Sequence, residues 1–313
     1  MKITKYLGIL GVILFIYIIL KIDLRQLISI FASLNIPMII LSIIMLVPLI
    51  LLRTTRWNLI IKATGVDISL IDSIAISFKG YVLGSVTPGR IGDIIRAQFL
   101  MKKTAISLGR SLLTAIIDRI FDISVIIVIS LLGILAISRI FGIKILSLGI
   151  SILILFIFAL FLYTLINKKL IARILGPLFD LFLPSKAKET VKVNFDDFYK
   201  SLDLLKVKRL HVSASVFLSI LSWLAAGVGC YFLALSLSLD IPYWYTLISL
   251  GISSVIAVLP ISFSGLGTRE AVFIFVLSII DISSTEAVSF SLLVLVWTLL
   301  PVLPGMFLYF RDR

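Results

Sequence analysis

Cysteine and histidine are all but missing: the 313 residues hold one of each, Cys230 and His211. A single cysteine excludes a disulfide framework within the chain. Cys230 lies in an apolar run and reads as a small packed hydrophobe. His211 opens an apolar helix and reads as a membrane-interface residue rather than a metal ligand or proton relay. There is no Cys/His cluster, no Walker-type phosphate loop and no Ser-His-Asp order. Metal, nucleotide and cofactor chemistry therefore find no support, and the expectation is a protein without a cofactor.

Charge is scarce too. Charged residues make up 14% of the chain and hydrophobic residues 60%, with a mean hydropathy of +1.20. Soluble domains carry about a quarter charged residues and are nearer half apolar. A water-soluble fold of this length would have nowhere to hide so much apolar surface, so lipid must be the solvent for much of it. The apolar stretches are solid Ile, Leu, Val and Phe rather than alternating, which excludes a β-barrel. Spanning helices need about 20 mostly apolar residues, and such runs recur. The fold class is all-α: a polytopic helical membrane protein with about six full spans plus two broken or re-entrant segments.

Acids are few against bases, 16 to 29, for a net charge of +13. Such an excess can mean nucleic acid, but in a membrane chain the simpler cause is Lys/Arg-rich cytoplasmic loops. The positions decide for the second, and no nucleic-acid partner is expected. Full spans are read at 6–20, 37–52, 111–136, 145–166, 211–238 and 286–308. The second ends at Arg53, Arg56 and Trp57. With the N-terminus inside, twenty Lys/Arg fall on the inner side, against Lys21, Arg25, Arg139 and Lys144 outside. This bias places the chain in the cell membrane with both termini cytoplasmic. Residues 1–166 form a first half with a broken segment at 71–105. Residues 210–313 form a second half with a broken hairpin at 244–281, and the whole is one membrane domain. Between them, 167–209 carries ten basic residues and five acids. It reads as a helix along the cytoplasmic face, with Val193, Phe195, Phe198 and Leu202 as its greasy side; a solvated linker is the alternative.

Five arginines and lysines remain beside or within apolar segments: Lys79, Arg90, Arg96, Arg119 and Arg269. The first constellation is Ser85-Val-Thr-Pro-Gly-Arg-Ile-Gly-Asp93 followed by Arg96. Pro88, Gly89 and Gly92 break a helix and free its backbone polar groups, which at membrane depth is tolerated only where protein or a wet cavity satisfies them. Amides of a restarting helix together with Arg90 and Arg96 suit an anion such as a lipid phosphate. Asp93 can pair with either arginine or take a substrate amine.

The second is Leu259-Pro-Ile-Ser-Phe-Ser-Gly-Leu-Gly-Thr-Arg-Glu270. Pro260, Gly265 and Gly267 break it, and Arg269 and Glu270 fall near the midplane, where ionisable residues are functional suspects or a mutually neutralising structural pair. One break in each half, on opposite sides, gives a pseudo-inverted arrangement, the pattern that marks transporter sites. The third is Asp118-Arg119-Ile-Phe-Asp122. Arg119 lies nine residues past Arg110, about 13 Å into the hydrocarbon layer along a helix. Arg119 and Asp122 make an ion pair within the helix or partner the charged breaks.

At these places the sequence resembles the transmembrane part of lysylphosphatidylglycerol synthases and their stand-alone, flippase-like relatives. The matching residues are Thr87-Pro-Gly-Arg-Ile-Gly-Asp-Ile-Ile-Arg96, Asp118-Arg-Ile-Phe-Asp122, Leu259-Pro260, Gly265-Leu-Gly267 and Glu270. The family usually carries Glu where this chain has Asp93 and Asp118. The resemblance implies lipid handling. Full-length members join this module to a soluble domain that transfers lysine to phosphatidylglycerol. This chain stops after its last span, so it is expected not to be an aminoacyl-transferring enzyme.

The resulting expectation is a lipid flippase that moves a phospholipid or polyprenyl-linked lipid without ATP. Arg90, Asp93, Arg96, Arg119, Asp122, Arg269 and Glu270 are its headgroup-binding residues. The alternatives are an enzyme or accessory subunit in membrane-lipid or polyprenyl-phosphate glycosyl metabolism, and a membrane scaffold for such enzymes. The expected partners are a membrane lipid with an anionic or polyprenyl-phosphate headgroup and, among proteins, a second copy of the chain or a lipid-modifying enzyme.

Overall fold

A computed structural model describes residues 2–87, 91–142, 148–173, 185–259 and 261–311. Pro88, Gly89, Arg90 and Pro260 lie outside the described residues, as does the side chain of Asp93. Among the described residues the ordered elements are helical. In chain order they are α1 (Lys2–Lys21), α2 (Leu24–Ala32), α3 (Ile36–Ile44), α4 (Leu46–Ala63), α5 (Leu70–Ser85), α6 (Arg96–Thr104), α7 (Leu108–Phe141), α8 (Leu148–Ile166), α9 (Ser185–Val207), α10 (Arg209–Ser236), α11 (Tyr243–Val258), α12 (Thr268–Leu277), α13 (Ser284–Leu299) and α14 (Val302–Arg311). A short 3-10 turn, Ile91–Ile95, leads into α6.

Local signals set the starts. Asp23, Asn35, Ser69, Ser107 and Ser283 each accept a backbone N–H from the first turn of the helix that follows, satisfying donors that a helix N-terminus leaves open. Among the described residues four stretches are long and apolar enough to cross a membrane: Ile36–Ala63, Leu108–Phe141, Arg209–Ser236 and Ser284–Arg311. The first is interrupted at Met45 and the last at Leu300 and Pro301. Pro48 and Pro304 account for both kinks, since a proline opposes the carbonyl four residues before it, here Ile44 and Leu300. Leu132, Phe156, Phe161, Phe217 and Phe307 are all exposed, as expected where hydrocarbon rather than water meets the surface.

The core forms around α10. It packs against α3 and α4 on one side and α11 on the other, α7 packs on α11, and α14 lies along α5. Small residues line the buried face of α10, among them Ser215, Ser219, Ser222, Ala226, Gly229 and Cys230. They let helices approach closely without a hydrophobic drive between them: a Cβ on Gly229 would fall 2.5 Å from the Trp297 ring.

Two sequence expectations change. The second span does not end at Arg53. The helix runs on to Ala63, and Arg56 is 2% exposed. Arg53 and Arg56 thus leave the set of twenty inner-side charges, and eighteen remain against four. The polar segment is helical at Ser185–Val207, as read from the sequence and not as the alternative linker, but its packed face differs. Phe195, Phe198, Tyr199, Leu202 and Leu205 pack into a cluster with Ile60 and Leu113, and Asn194 Oδ1 accepts the Gly109 N–H at 2.9 Å. Val193, expected on the greasy side, is 55% exposed. Docking onto α7 turns the α9 face toward Tyr199 and Leu205 instead.

Candidate functional site: a cationic cavity between two helix breaks

The two breaks meet. At the first, the Thr87 hydroxyl donates to Leu83 O (3.1 Å) and accepts the Gly92 N–H (2.7 Å). This folds the chain back so tightly that a Cβ on Gly92 would lie 2.1 Å from Leu83 O. At the second, Gly265 and Gly267 hold φ of +82°, a region costly for side chains with a Cβ. The Ser264 hydroxyl reaches across to donate to Ser85 O at 2.9 Å. Each break is stitched by its own polar groups, then the two are tied tip to tip.

Beside this junction lies a cavity of about 140 Å³. Five arginines reach it: Arg53 and Arg56 from α4, Arg96 from α6, Arg119 from α7 and Arg269 from α12. Among the described residues two acids face them, Asp118 and Asp122, one turn apart on α7. The Arg56 guanidinium donates through Nε to Asp118 (2.6 Å) and through Nη1 to Asp122 (3.0 Å) and Ser219 (3.1 Å). Arg96 donates to the other Asp118 oxygen and lies 4.3 Å over the Trp57 ring. Trp223 Nε1 donates to Asp122 at 3.1 Å, and Arg119 reaches the same carboxylate at 3.9 Å. One carboxylate thus bridges α4 and α6, and the other ties α4, α7 and α10.

The sequence-derived residues divide accordingly. Arg96, Arg119, Asp122 and Arg269 converge on the cavity. Arg90 and the Asp93 side chain lie outside the described residues. Glu270 is fully buried and stands behind the wall rather than in it. One of its oxygens accepts the Gly267 N–H (2.5 Å), and the other the Ser291 hydroxyl (2.7 Å) and Arg269 (3.5 Å). It caps α12 and neutralises Arg269, so the reading of these neighbours as a structural pair describes the glutamate well. Arg119 and Asp122 do pair within α7, while Asp122 also reaches Arg56.

Arg53, Arg56 and Trp223 were not among the expected site residues. A signal for the arginines existed: after Trp57 the apolar run resumes as Leu59-Ile-Ile61, and no glycine or proline intervenes before Gly65. A helix that does not stop carries its arginines inward with it.

Arginine keeps its charge in proteins. Among the described residues, five guanidinium groups against Asp118, Asp122 and the nearby Glu270 leave the cavity cationic by two charges. Hydroxyls of Ser77, Tyr81, Ser253 and Thr298 add neutral polar groups to the wall. The arrangement suits an anion rich in acceptor oxygens, a phosphate above all.

The chain matches the family described as Lysylphosphatidylglycerol synthase TM region over residues 5–305. It is 26% identical to a UPF0104 membrane protein of Pyrococcus horikoshii, covering 99% of this chain and 97% of that one. Two UPF0104 membrane proteins of Methanocaldococcus jannaschii are 27% and 28% identical, over 97% and 66% of this chain and 94% and 84% of their own lengths.

Proposed function

This chain belongs to the lysylphosphatidylglycerol synthase TM region family, and from that premise we propose that it is a lipid translocase working without ATP. The observation that supports this is the cationic cavity at the junction of two interrupted helices. A phospholipid or polyprenyl-phosphate headgroup crossing bare hydrocarbon must shed its hydration, at a cost of many kcal/mol for an unpaired ion. Arg96, Arg119 and Arg269 would take the place of that water around the phosphate, while Asp122 limits the excess charge. The tails stay in lipid.

Reconstitution in liposomes with fluorescent short-chain phosphatidylglycerol and an external quencher tests this reading. Wild-type protein should speed exchange between leaflets over empty vesicles. Arg119→Gln should slow it about tenfold, since a charge-assisted hydrogen bond contributes about 1.5–3 kcal/mol. No acceleration, with polyprenyl phosphate as well as phosphatidylglycerol, removes the proposal.

The same reading places the protein in the cell membrane with both termini cytoplasmic. The charge bias that supports this survives the transfer of Arg53 and Arg56 to the cavity wall. In a Cys230→Ser background, a cysteine added at either end should react with an impermeant maleimide in inside-out vesicles and stay unlabelled in intact cells. The reverse pattern would invert the orientation.

A further inference from the structure

Arg53 differs from its neighbours. Arg56, one turn on, spends its donors on two carboxylates and a serine. Among the described residues Arg53 pairs with no carboxylate, and its Nε is buried without a hydrogen-bond partner. It lies against the face of Trp223, 5.6 Å away, and feels the Asp122 carboxylate only at longer range, without a direct bond to it. A buried guanidinium donor without an acceptor costs free energy, and such an exception calls for an explanation.

Its position supplies one. A second cavity of about 50 Å³ adjoins the first, and the two share Arg53, Tyr81, Trp297 and Thr298. Beyond these four the second wall is nearly all apolar, with Leu46, Leu49, Ile50, Leu299 and Val302 in it. Three helix interruptions border this space: Met45 between α3 and α4, the end of α5 at Ser85, and Leu300-Pro301 between α13 and α14. The wall runs from cationic, through Arg53, to apolar within a few residues.

We propose that Arg53 is the phosphate ligand of an amphiphile whose hydrocarbon chain leaves the cationic cavity through the small apolar one, between the α3–α4 and α13–α14 kinks. The substrate class is a phosphate ester of an apolar alcohol, with its negative charge next to the tail. Both a glycerophospholipid and a polyprenyl phosphate meet that description. A lipid whose only charged group is a remote amine does not, because it brings no oxygen acceptor to the Arg53 Nε. This inference rests on the translocation reading and adds to it the point of contact and the tail's path.

The test uses purified full-length protein in detergent with photoactivatable phosphatidylglycerol or polyprenyl phosphate, each carrying its diazirine on the tail close to the phosphate. Labelled peptides are mapped by mass spectrometry. Wild-type label should fall on Leu46–Ile50 or Leu299–Val302. Arg53→Gln should reduce it about tenfold, Arg53→Lys should restore much of it, and Val302→Trp should block it by filling the exit. The lipid that labels at lower concentration identifies the source of the phosphate. Melting curves check that each variant is folded; if Arg53→Gln is not, the Lys and Trp variants decide. Label unchanged in Arg53→Gln and Val302→Trp, or confined to an outer face such as Phe156–Phe161, overturns the proposal. If the protein flips lipid while labelling ignores Arg53, this inference fails and the translocation reading stands. Arg53-dependent labelling without flipping keeps the site and removes translocation.

Discussion

Asp118→Ala is expected to lower stability by about 3–5 kcal/mol, the usual result of breaking a buried ion pair from one side. Asp118 is 4% exposed, and its two oxygens serve two arginines from different parts of the chain, Arg56 and Arg96. Without it Arg56 keeps Asp122 and Ser219. Among the described residues Arg96 loses its carboxylate partner and keeps the face of Trp57, with its Nε lacking an acceptor. An uncompensated guanidinium next to the first break should loosen α6 and the cavity wall together. Asp122→Asn should cost less, because the amide can still accept from Trp223 and the site is more open, at 13% side-chain exposure. The check is thermal or denaturant unfolding in one detergent, followed by tryptophan fluorescence, with lipid exchange measured in parallel. If Asp118→Ala unfolds within about 1 kcal/mol of wild type, a typical value for an exposed pair, the bridge is not what holds α4 and α6 together.

Gly267→Ala should be nearly as damaging for a different reason. Gly267 sits at φ +82°, and a Cβ there would fall 2.0 Å from Gly11 O and 2.9 Å from Phe15 N. Holding an L-residue at φ +82° and ψ −51°, outside the left-handed helical well, costs about 1–3 kcal/mol, and overpacking a tight contact typically about 1–3 kcal/mol more. The obstacle is backbone on both counts, so no rotamer change relieves it; α1 must move away from the second break or α12 must lose its start. Gly142→Ala separates the two costs. It also has positive φ, at +65°, but nothing lies within 4 Å of the new Cβ. Melting temperatures of the pair should show a small loss for Gly142→Ala and a much larger one for Gly267→Ala. Equal losses would mean that α1 does not rest against this break in the membrane.

Both substitutions bear on how far the chain could be read unfolded. The breaks were visible, because proline and glycine interrupt a helix through their own backbone chemistry, whatever surrounds them. Asp118, Arg119 and Asp122 could be placed deep in a span by counting residues from Arg110. For Arg53 and Arg56 the resumed apolar run Leu59-Ile-Ile61 signalled that the helix continues past them, but not which way their side chains turn. An arginine at the edge of an apolar run looks the same whether it snorkels to the interface or turns inward, and the choice depends on partners far away in sequence. For Arg56 these are Asp118 and Ser219, 62 and 163 positions on. The face of α9 was misjudged at Val193 for the same reason: a helix with apolar residues on several sides takes its orientation from the surface it docks on.

Composition by itself determined the solvent, since so apolar a chain can only be folded in lipid, and with it the helical class, because every backbone group must find its partner within the segment. Local residue chemistry placed the interruptions. Only the tertiary structure decided that the interruptions touch, through Ser264 and Ser85, and which charges cancel and which do not. Charge balance in a cavity is a sum over side chains from separate helices, and no single stretch of the chain contains that sum.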